Sequence, residues 1–217
     1  MADPKEKFKG TQLEDVIREG TSYDTLVDHF NIIGEKIASS SRVEQILKQI
    51  AKSACQVLRA NPVLLFQYDK KKNQLVPPPI YGGTLFEEAG YAKTFVFSGD
   101  TFAEMVIANR ESLYFERQED IDKHPFMNGG QEENVEGRPK TRFHKREHIK
   151  SLAALVLEAE DETLGLMFVN YRSHQSFSAP VKKLMKTFAS YAAIAIKNSR
   201  LIEQLRRNEA FQRHIVE

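Results

Sequence analysis

Two histidines, His144 and His148, stand four residues apart in a basic stretch of the chain. On a helix this spacing places both imidazoles on one face, as in zinc sites of the HExxH type, whose second residue is a glutamate. Here Lys145 follows His144, and no acidic residue or cysteine at a matching spacing completes a ligand set, although His124 offers a further imidazole. We therefore predict no metal site, and a metal or haem sensor built on His144 and His148 is kept as an alternative.

Cys55 is the single cysteine of the chain, which excludes an internal disulfide and a thiolate metal cluster. It falls at the flank of the apolar face of a predicted helix, where a free thiol usually behaves as a small buried hydrophobic group. The sequence contains no P-loop, no Rossmann glycine pattern and no G-x-S-x-G elbow. We predict that the protein is not an enzyme. The alternative is a metal or haem sensor, a redox sensor or an enzyme that uses His144, His148 or Cys55.

Composition limits the partners. The 217 residues are 41% hydrophobic and 28% charged, as in an ordinary globular protein with one sizeable core. A net charge of +1 argues against nucleic acid as a partner. No apolar run approaches the roughly 18 to 20 residues of a membrane span, and the charged first ten residues lack the apolar core of a signal peptide. We expect a cytoplasmic protein that does not bind membranes.

The second half of the chain predicts two strands and a long helix. Residues 149–157 and 164–171 are nearly continuous apolar runs joined by an acidic turn, which favours an antiparallel hairpin. Gly165 removes a side chain where another element must come close. Pro180 stands in the first turn of the helix, where its missing N–H costs little. The helix has one buried face, formed by Val181, Leu184, Met185, Phe188, Ala192, Ala195 and Ile196.

The first half predicts a more broken pattern. Two amphipathic helices cover residues 22–39 and 42–60, and strands follow at 63–68 and 74–81. The prolines at 77–79 cannot donate ladder hydrogen bonds, so the second of these strands belongs at a sheet edge or ends early. Residues 98–100 are expected to cap a helix that runs to Asn109. Residues 113–115 are predicted to form a central strand.

The strands and helix after residue 148 carry a family resemblance. The matching residues, in order, are Ser151, Leu164-Gly165-Leu166, Asn170, Phe177-Ser178, Phe188-Ala189 and the run from Ala192 to Asn198. This ordered set resembles the C-terminal half of a GAF domain. The resemblance implies an α/β (α+β) fold with a mostly antiparallel sheet of roughly five to six strands. The N- and C-terminal helices would pack on one face, and a loop-rich ligand pocket would lie on the other.

The resemblance also makes the irregular residues 116–148 the lid of a small-molecule pocket. The implied ligand-binding residues are Phe97, Phe126, Met127, Arg142, Phe143, His144, His148 and Ser151. The ligand itself is not identified. Bilin-binding relatives place a cysteine before the Ser151 strand, and this chain reads RPKTRFHKREH there, so covalent bilin attachment is not expected. The basic residues of this segment either attract an anionic ligand or neutralise the acidic loop before them. The NKxxFxxxDE motif of cyclic-nucleotide sites is incomplete, so recognition of that kind is not expected.

We predict three parts: a flexible lead-in at 1–20, a GAF-like domain at 21–198 and a helical connector at 199–217. The leading hypothesis is a non-catalytic sensory or regulatory module that binds a small molecule and signals through its terminal helices. A homodimer through helices 22–60 and 178–217, and a possible C-terminal output domain, are the expected partners, because apolar residues continue past 197 near heptad spacing. A ligand-free dimerisation module, with the pocket filled by its own aromatic residues, is the third possibility.

Overall fold

Five antiparallel strands form the centre of the protein. The structure is a computed structural model, and it describes residues 23–39, 42–86, 101–128 and 142–216. The strands are β1 (Val63–Asp69), β2 (Gln74–Gly82), β3 (Leu113–Phe115), β4 (Ser151–Ala159) and β5 (Glu162–Tyr171). Their order across the sheet is β2-β1-β5-β4-β3, and every neighbouring pair is antiparallel. The predicted sheet and the hairpin of β4 and β5 are confirmed.

Three long helices lie on one side of this sheet, where α2 and α7 cover the strands and α1 packs on the helices. They are α1 (Tyr23–Ser39), α2 (Val43–Leu58) and α7 (Ala179–Val216). The buried side chains of α2 and α7 form one apolar cluster with the facing residues of β1, β4 and β5. Phe188 of α7 lies at its centre, fully buried, with its ring 5.1 Å from that of Phe30 in α1. The side-by-side packing of the N- and C-terminal helices on one face is therefore confirmed.

Shorter elements cover the opposite face. They are α3 (Phe102–Asn109), α4 (Gln118–Lys123), α5 (Pro125–Asn128) and α6 (Phe143–Arg146). A second apolar cluster joins α3 and α4 to the other side of β1, β4 and β5. Helix α3 begins one residue later than the sequence suggested. Thr101 is its N-cap and forms a reciprocal capping box with Glu104, so the expected cap at residues 98–100 was wrong.

The position of β3 also corrects a prediction. Its three residues pair with residues 152–154 of β4 alone, so it is an edge strand and not a central one. The apolar residues Leu113, Tyr114 and Phe115 are half-buried, because an edge strand has one neighbour and two partly covered faces. The proline-containing β2 forms the other edge, as predicted, although it extends through all three prolines to Gly82.

Gly165 of β5 lies close to the backbone of β1. A Cβ atom built on it would stand 2.1 Å from the carbonyl oxygen of Phe66 and 3.0 Å from a methyl carbon of Leu157. Real Cβ atoms essentially never come within 2.1 Å of a backbone oxygen, so only glycine fits this position of the central strand pair. The sequence-based expectation for Gly165 is confirmed.

Helix α7 leaves the domain without a break. Its first half is buried against the sheet, but the side chains from Leu201 to Gln212 are all exposed. Several large apolar residues of the helical layer lie in solvent: Ile32, Ile194, Leu201, Ile202, Leu205 and Phe211. In the described ranges, no helix is long and apolar enough to cross a membrane. The predicted lead-in, residues 1–20, lies outside the described residues.

Candidate functional site

The sheet face under α3 to α6 is rich in aromatic rings. The ring of Phe168 lies 6.0 Å from Phe66, edge to face, and 6.2 Å from Phe102. Phe102 in turn meets Phe115 at 5.9 Å. These rings fill the space directly between the sheet and α3, where they bury apolar area and favour edge-to-face geometry. Among the described residues, the space directly between the sheet and α3 is therefore filled by these rings.

His124 extends this aromatic group into the region predicted to be the lid. Its imidazole meets the rings of Phe102 at 5.2 Å and Phe115 at 5.5 Å, both nearly perpendicular, and Phe126 at 6.2 Å. Burial lowers the pKa of His124, so the ring is neutral near pH 7. Its buried Nδ1 has no hydrogen-bond partner among the described residues. Leaving a buried polar atom without a hydrogen bond costs free energy, so a group that bonds to this nitrogen would stabilise the protein.

A cavity of about 610 Å³ opens at the rim beside Phe126. The hairpin turn of β1 and β2 forms one wall, and α3 forms the other. It combines aromatic, carboxamide and charged side chains: Tyr68, Lys72, Asn73, Gln74, Thr101, Glu104, Met105, Ile107, Ala108, Asn109 and Phe126. The Tyr68 hydroxyl donates to Asn73 Oδ1 at 2.5 Å, which fixes the ring against the turn. This mixture of apolar walls and a few polar groups is typical of small-molecule sites.

Among the described residues, Phe126 is the one predicted site residue that lines this cavity, and three other predicted residues neighbour it in the chain or through a hydrogen bond. Arg142 donates from Nη1 to the carbonyl oxygen of Phe126 at 2.7 Å, which joins the residue before α6 to α5. Phe126 lines the cavity with 37% of its surface exposed. Met127 and Phe143 are half-buried against the second apolar cluster. Phe97 lies outside the described residues.

His144 and His148 do not share a helix face. Helix α6 ends at Arg146, and His148 takes a left-handed backbone conformation with φ of 54°. His144 is 4% exposed and its Nε2 lies 3.2 Å from Asp122 Oδ1, whereas the exposed His148 ring packs on Phe86 at 5.5 Å. The structure therefore contradicts the paired arrangement. In the part of the chain that the structure describes, no three His, Cys, Asp or Glu side chains are grouped to hold a metal.

Ser151 is a structural residue in this arrangement. Its side chain is fully buried, and its hydroxyl donates to the carbonyl oxygen of Glu116 at 2.7 Å. The same oxygen accepts from the backbone N–H of Gln175 at 2.9 Å. These bonds join the end of β3 to the loop before α7. Among the described residues, Ser151 does not line the cavity beside Phe126.

Cys55 is half-buried at the back of the first apolar cluster. Burial raises the pKa of its thiol to about 11, against a hydrogen bond from the backbone of Val63 that acts in the opposite direction. Because the thiolate is the reactive form, a thiol with this pKa is a weak nucleophile and a slow redox centre at neutral pH. The geometry gives no support to chemistry at Cys55.

A buried ion pair that the sequence did not predict lies just before β4. Glu147 is 1% exposed, and its carboxylate accepts from Arg172 at 2.7 Å and from the backbone N–H of Phe86 at 3.0 Å. Arg172 also donates to the carbonyl oxygen of Thr84 and stacks over the Phe86 ring at 4.1 Å. The pair therefore pins residues 84–86 to the start of β4. The one available signal was a lone glutamate inside an otherwise basic stretch.

The pH dependence of stability should report on His144. Burial lowers the pKa of its imidazole, and the hydrogen bond to Asp122 opposes this without cancelling it. The unfolded chain binds the proton more readily, so the stabilisation is complete above the ordinary pKa of 6.5 and is lost as pH falls toward the lower folded value.

We expect the free energy of unfolding to fall between pH 7.5 and pH 5.5, and to fall less steeply in His144→Gln. Chemical denaturation at each pH measures both slopes. His174→Gln, at an exposed position, is the control and should keep the wild-type slope. Equal slopes in wild type and His144→Gln would show that His144 is not the group responsible.

Most of the chain matches a known domain family. Residues 42–196 match the model of the GAF domain family. Because the match covers well over half of the chain, this protein belongs to the GAF domain family, whose members are generally sensory or regulatory modules. The resemblance found from the residues after 148 is confirmed.

Solved structures agree on the fold. The GAF domain of a phosphoenolpyruvate-protein phosphotransferase from Coxiella burnetii has a TM-score of 0.60 at 16% identity, covering 82% of this chain and 96% of that one. The corresponding Acinetobacter domain has a TM-score of 0.59 at 12% identity, with coverage of 82% and 96%. A free methionine-R-sulfoxide reductase from Neisseria meningitidis, bound to its substrate, scores 0.57 at 13% identity, with coverage of 78% and 87%. No curated protein matches the chain significantly.

Proposed function

We propose that this chain is a cytoplasmic, non-catalytic sensory module that binds a small molecule in the cavity between the β1–β2 turn and α3. The observation that carries the proposal is the cavity itself. It has aromatic walls in Tyr68 and Phe126, carboxamides in Asn73 and Gln74, and a single cation in Lys72 among its lining residues. This set suits a small ring compound with hydrogen-bonding groups on its edge.

The chemistry of the described residues favours binding over catalysis. A nucleophilic enzyme needs an activated nucleophile beside a base. The Cys55 thiol has a raised pKa and lies in the cluster on the opposite side of the sheet from the cavity. The His144 imidazole is hydrogen-bonded to Asp122, and the Ser151 hydroxyl is hydrogen-bonded to backbone groups. Neither side chain is therefore placed to act as a base or a nucleophile in the cavity.

The proposed output is a homodimer through the helical layer, extended to an output domain by α7. The exposed apolar residues Ile194, Leu201 and Leu205 follow one another at the spacing of a helix seam. A groove of about 260 Å³ beside them runs between the end of α1 and α7, with Ile37 and Ile202 in its walls. Such a patch on three neighbouring helices is suited to a second copy of the chain.

Native mass spectrometry of the gently purified protein tests ligand and dimer together. We expect a dimeric mass that carries a small-molecule adduct, and Lys72→Ala with Asn73→Ala should lose the adduct while keeping the dimer. A bare mass from several expression hosts, with no adduct in any of them, would contradict the ligand part of the proposal.

The dimer part has its own variant. Leu205→Glu places a charge in the proposed seam and should give a monomeric mass at micromolar concentration, with unchanged unfolding because Leu205 is exposed. Arg207→Glu is the matched control, since it stands about 200° around the same helix axis and should remain dimeric. A monomeric wild-type protein would contradict the dimer.

A ligand-free dimerisation module is the second candidate, and one observation favours it. The rings of Phe66, Phe102 and Phe168 occupy the space between the sheet and α3. Because these rings fill the space next to the sheet, a ligand would have less room than in a protein whose sheet face is not filled by its own side chains. A dimer that carries no adduct in the same spectra would favour this candidate.

A further inference from the structure

The last residues of β1 touch both faces of the sheet. The side chain of Tyr68 lines the cavity and packs against the second apolar cluster. Its backbone carbonyl oxygen accepts a hydrogen bond of 2.6 Å from Nη2 of Arg200, which belongs to α7 on the opposite face. One residue therefore connects the wall of the cavity to the helix that leaves the domain.

Arg200 is held at a second point by the hairpin of β4 and β5. Its Nη1 lies 3.2 Å from Glu162 Oε1, and Lys197 Nζ lies 2.7 Å from Glu162 Oε2. The hydrogen bond from Lys197 holds the pKa of Glu162 below its ordinary value, so this carboxylate is charged at neutral pH. We call Glu162, Lys197 and Arg200 the exit cluster, because the α7 side chains that follow it, from Leu201 to Gln212, are exposed.

The exit cluster and the cavity lie at the same end of the sheet. The β1–β2 turn, the β4–β5 turn and the C-terminal end of α3 meet there. Movement of the β1–β2 turn by a group entering the cavity must therefore move the Tyr68 carbonyl relative to Arg200. A charge-assisted hydrogen bond of this kind is strongly sensitive to distance and angle.

We propose that the bond from Arg200 to the Tyr68 carbonyl is the contact through which occupation of the cavity is transmitted to α7. Filling the cavity pushes the Tyr68 ring and the turn outward, lengthens this bond and loosens α7 beyond Lys197. Lys197 anchors the helix to Glu162 but does not reach Tyr68, so it holds α7 without carrying the signal. The proposal rests on the cavity being the sensory site, as proposed above, and it deepens that function by naming its output contact.

The contact can be tested without a ligand. Ala108 is exposed on α3 and lines the cavity, so Ala108→Phe fills the space without disturbing the core. Amide hydrogen exchange of the peptide 197–212, followed by mass spectrometry, reports how firmly α7 is held. We expect Ala108→Phe to speed exchange in this peptide about five-fold or more, the lower range of ordinary coupling between sites. Ala179→Phe, exposed at the far end of α7, should leave it unchanged.

The decisive step combines this filler with changes in the exit cluster. In an Arg200→Ala background the peptide should already exchange fast, and Ala108→Phe should add nothing. In a Lys197→Ala background, where the bond to Tyr68 remains, Ala108→Phe should still have its effect. Asn109→Phe, at a second exposed lining position, serves if Ala108→Phe does not fold.

Two results would overturn the proposal: an unchanged peptide in Ala108→Phe, or an equal response to the filler with and without Arg200. Neither depends on a bound ligand. Failure of this test is therefore distinguishable from the absence of an adduct in native mass spectra, which bears on the proposed function alone.

Discussion

Gly165→Ala is expected to destabilise the domain by about 3 kcal/mol or more, enough to unfold a protein of ordinary stability. The added methyl carbon would stand 2.1 Å from the Phe66 carbonyl oxygen, which is backbone and cannot turn away as a side chain does. Relief requires β1 and β5 to separate, and these are the central strands that carry both apolar clusters. Thermal and urea unfolding measure the loss.

Gly34→Ala provides the matched control. Gly34 lies inside α1, and a Cβ there meets nothing within 4 Å. Alanine has the higher helix propensity, so this variant should be neutral or more stable by about 0.5 to 1 kcal/mol. Similar effects of both substitutions would refute the close approach between β1 and β5.

Arg172→Ala is the second variant with a large expected effect, a loss of about 2 to 3 kcal/mol. It leaves the Glu147 carboxylate buried with no cation beside it, and breaking such a pair costs more than the pair contributes. The value lies below that for a fully buried pair because the Arg172 side chain is 22% exposed. The variant also removes the bond to Thr84, so residues 84–86 should exchange amide hydrogens faster.

A surface pair gives the comparison. Arg110 and Glu158 are joined at 2.7 Å but are 46% and 35% exposed, so Arg110→Ala should cost much less than Arg172→Ala, because solvent screens an exposed pair. Pairing Glu147→Leu with Arg172→Leu should recover much of the stability, since no unpaired charge is then left behind. A loss as small for Arg172→Ala as for Arg110→Ala would show that Glu147 is not dependent on its partner.

The elements that the sequence predicted well are those specified by local patterns. Each of these patterns lies within a short stretch of sequence: the apolar run of β4, the turn after it and the buried stripe of α7. Gly165 predicted a close approach of another element, because a glycine inside a strand leaves room for one. The edge position of β3 was not predictable in this way. It depends on pairing with residues 152–154, some forty positions later, and an apolar three-residue run looks the same at an edge and at the centre.

The site was predicted less completely than the fold, for the same reason. Phe126 was predicted as part of the proposed lid and lines the cavity, and Arg142 from the same segment bonds to its carbonyl oxygen. Tyr68 was one of several aromatic residues that could have lined a cavity, and the sequence did not single it out. Thr101 was missed, since it reaches the cavity only through the packing of α3 on the sheet. The His144–His148 pair failed because spacing predicts a shared helix face only where the helix is long enough, and α6 ends after Arg146. The Glu147–Arg172 pair joins residues too far apart for any sequence window.

The length of α7 gives the exit cluster a mechanical consequence. The helix has 38 residues, and at 1.5 Å per residue the part beyond Arg200 is a rod about 24 Å long. A tilt of about 10° at Arg200 would displace its far end by about 4 Å, roughly the width of one side chain. A change at the Tyr68–Arg200 bond that tilts α7 by this amount would therefore move the end of the helix far enough to change a helix pairing.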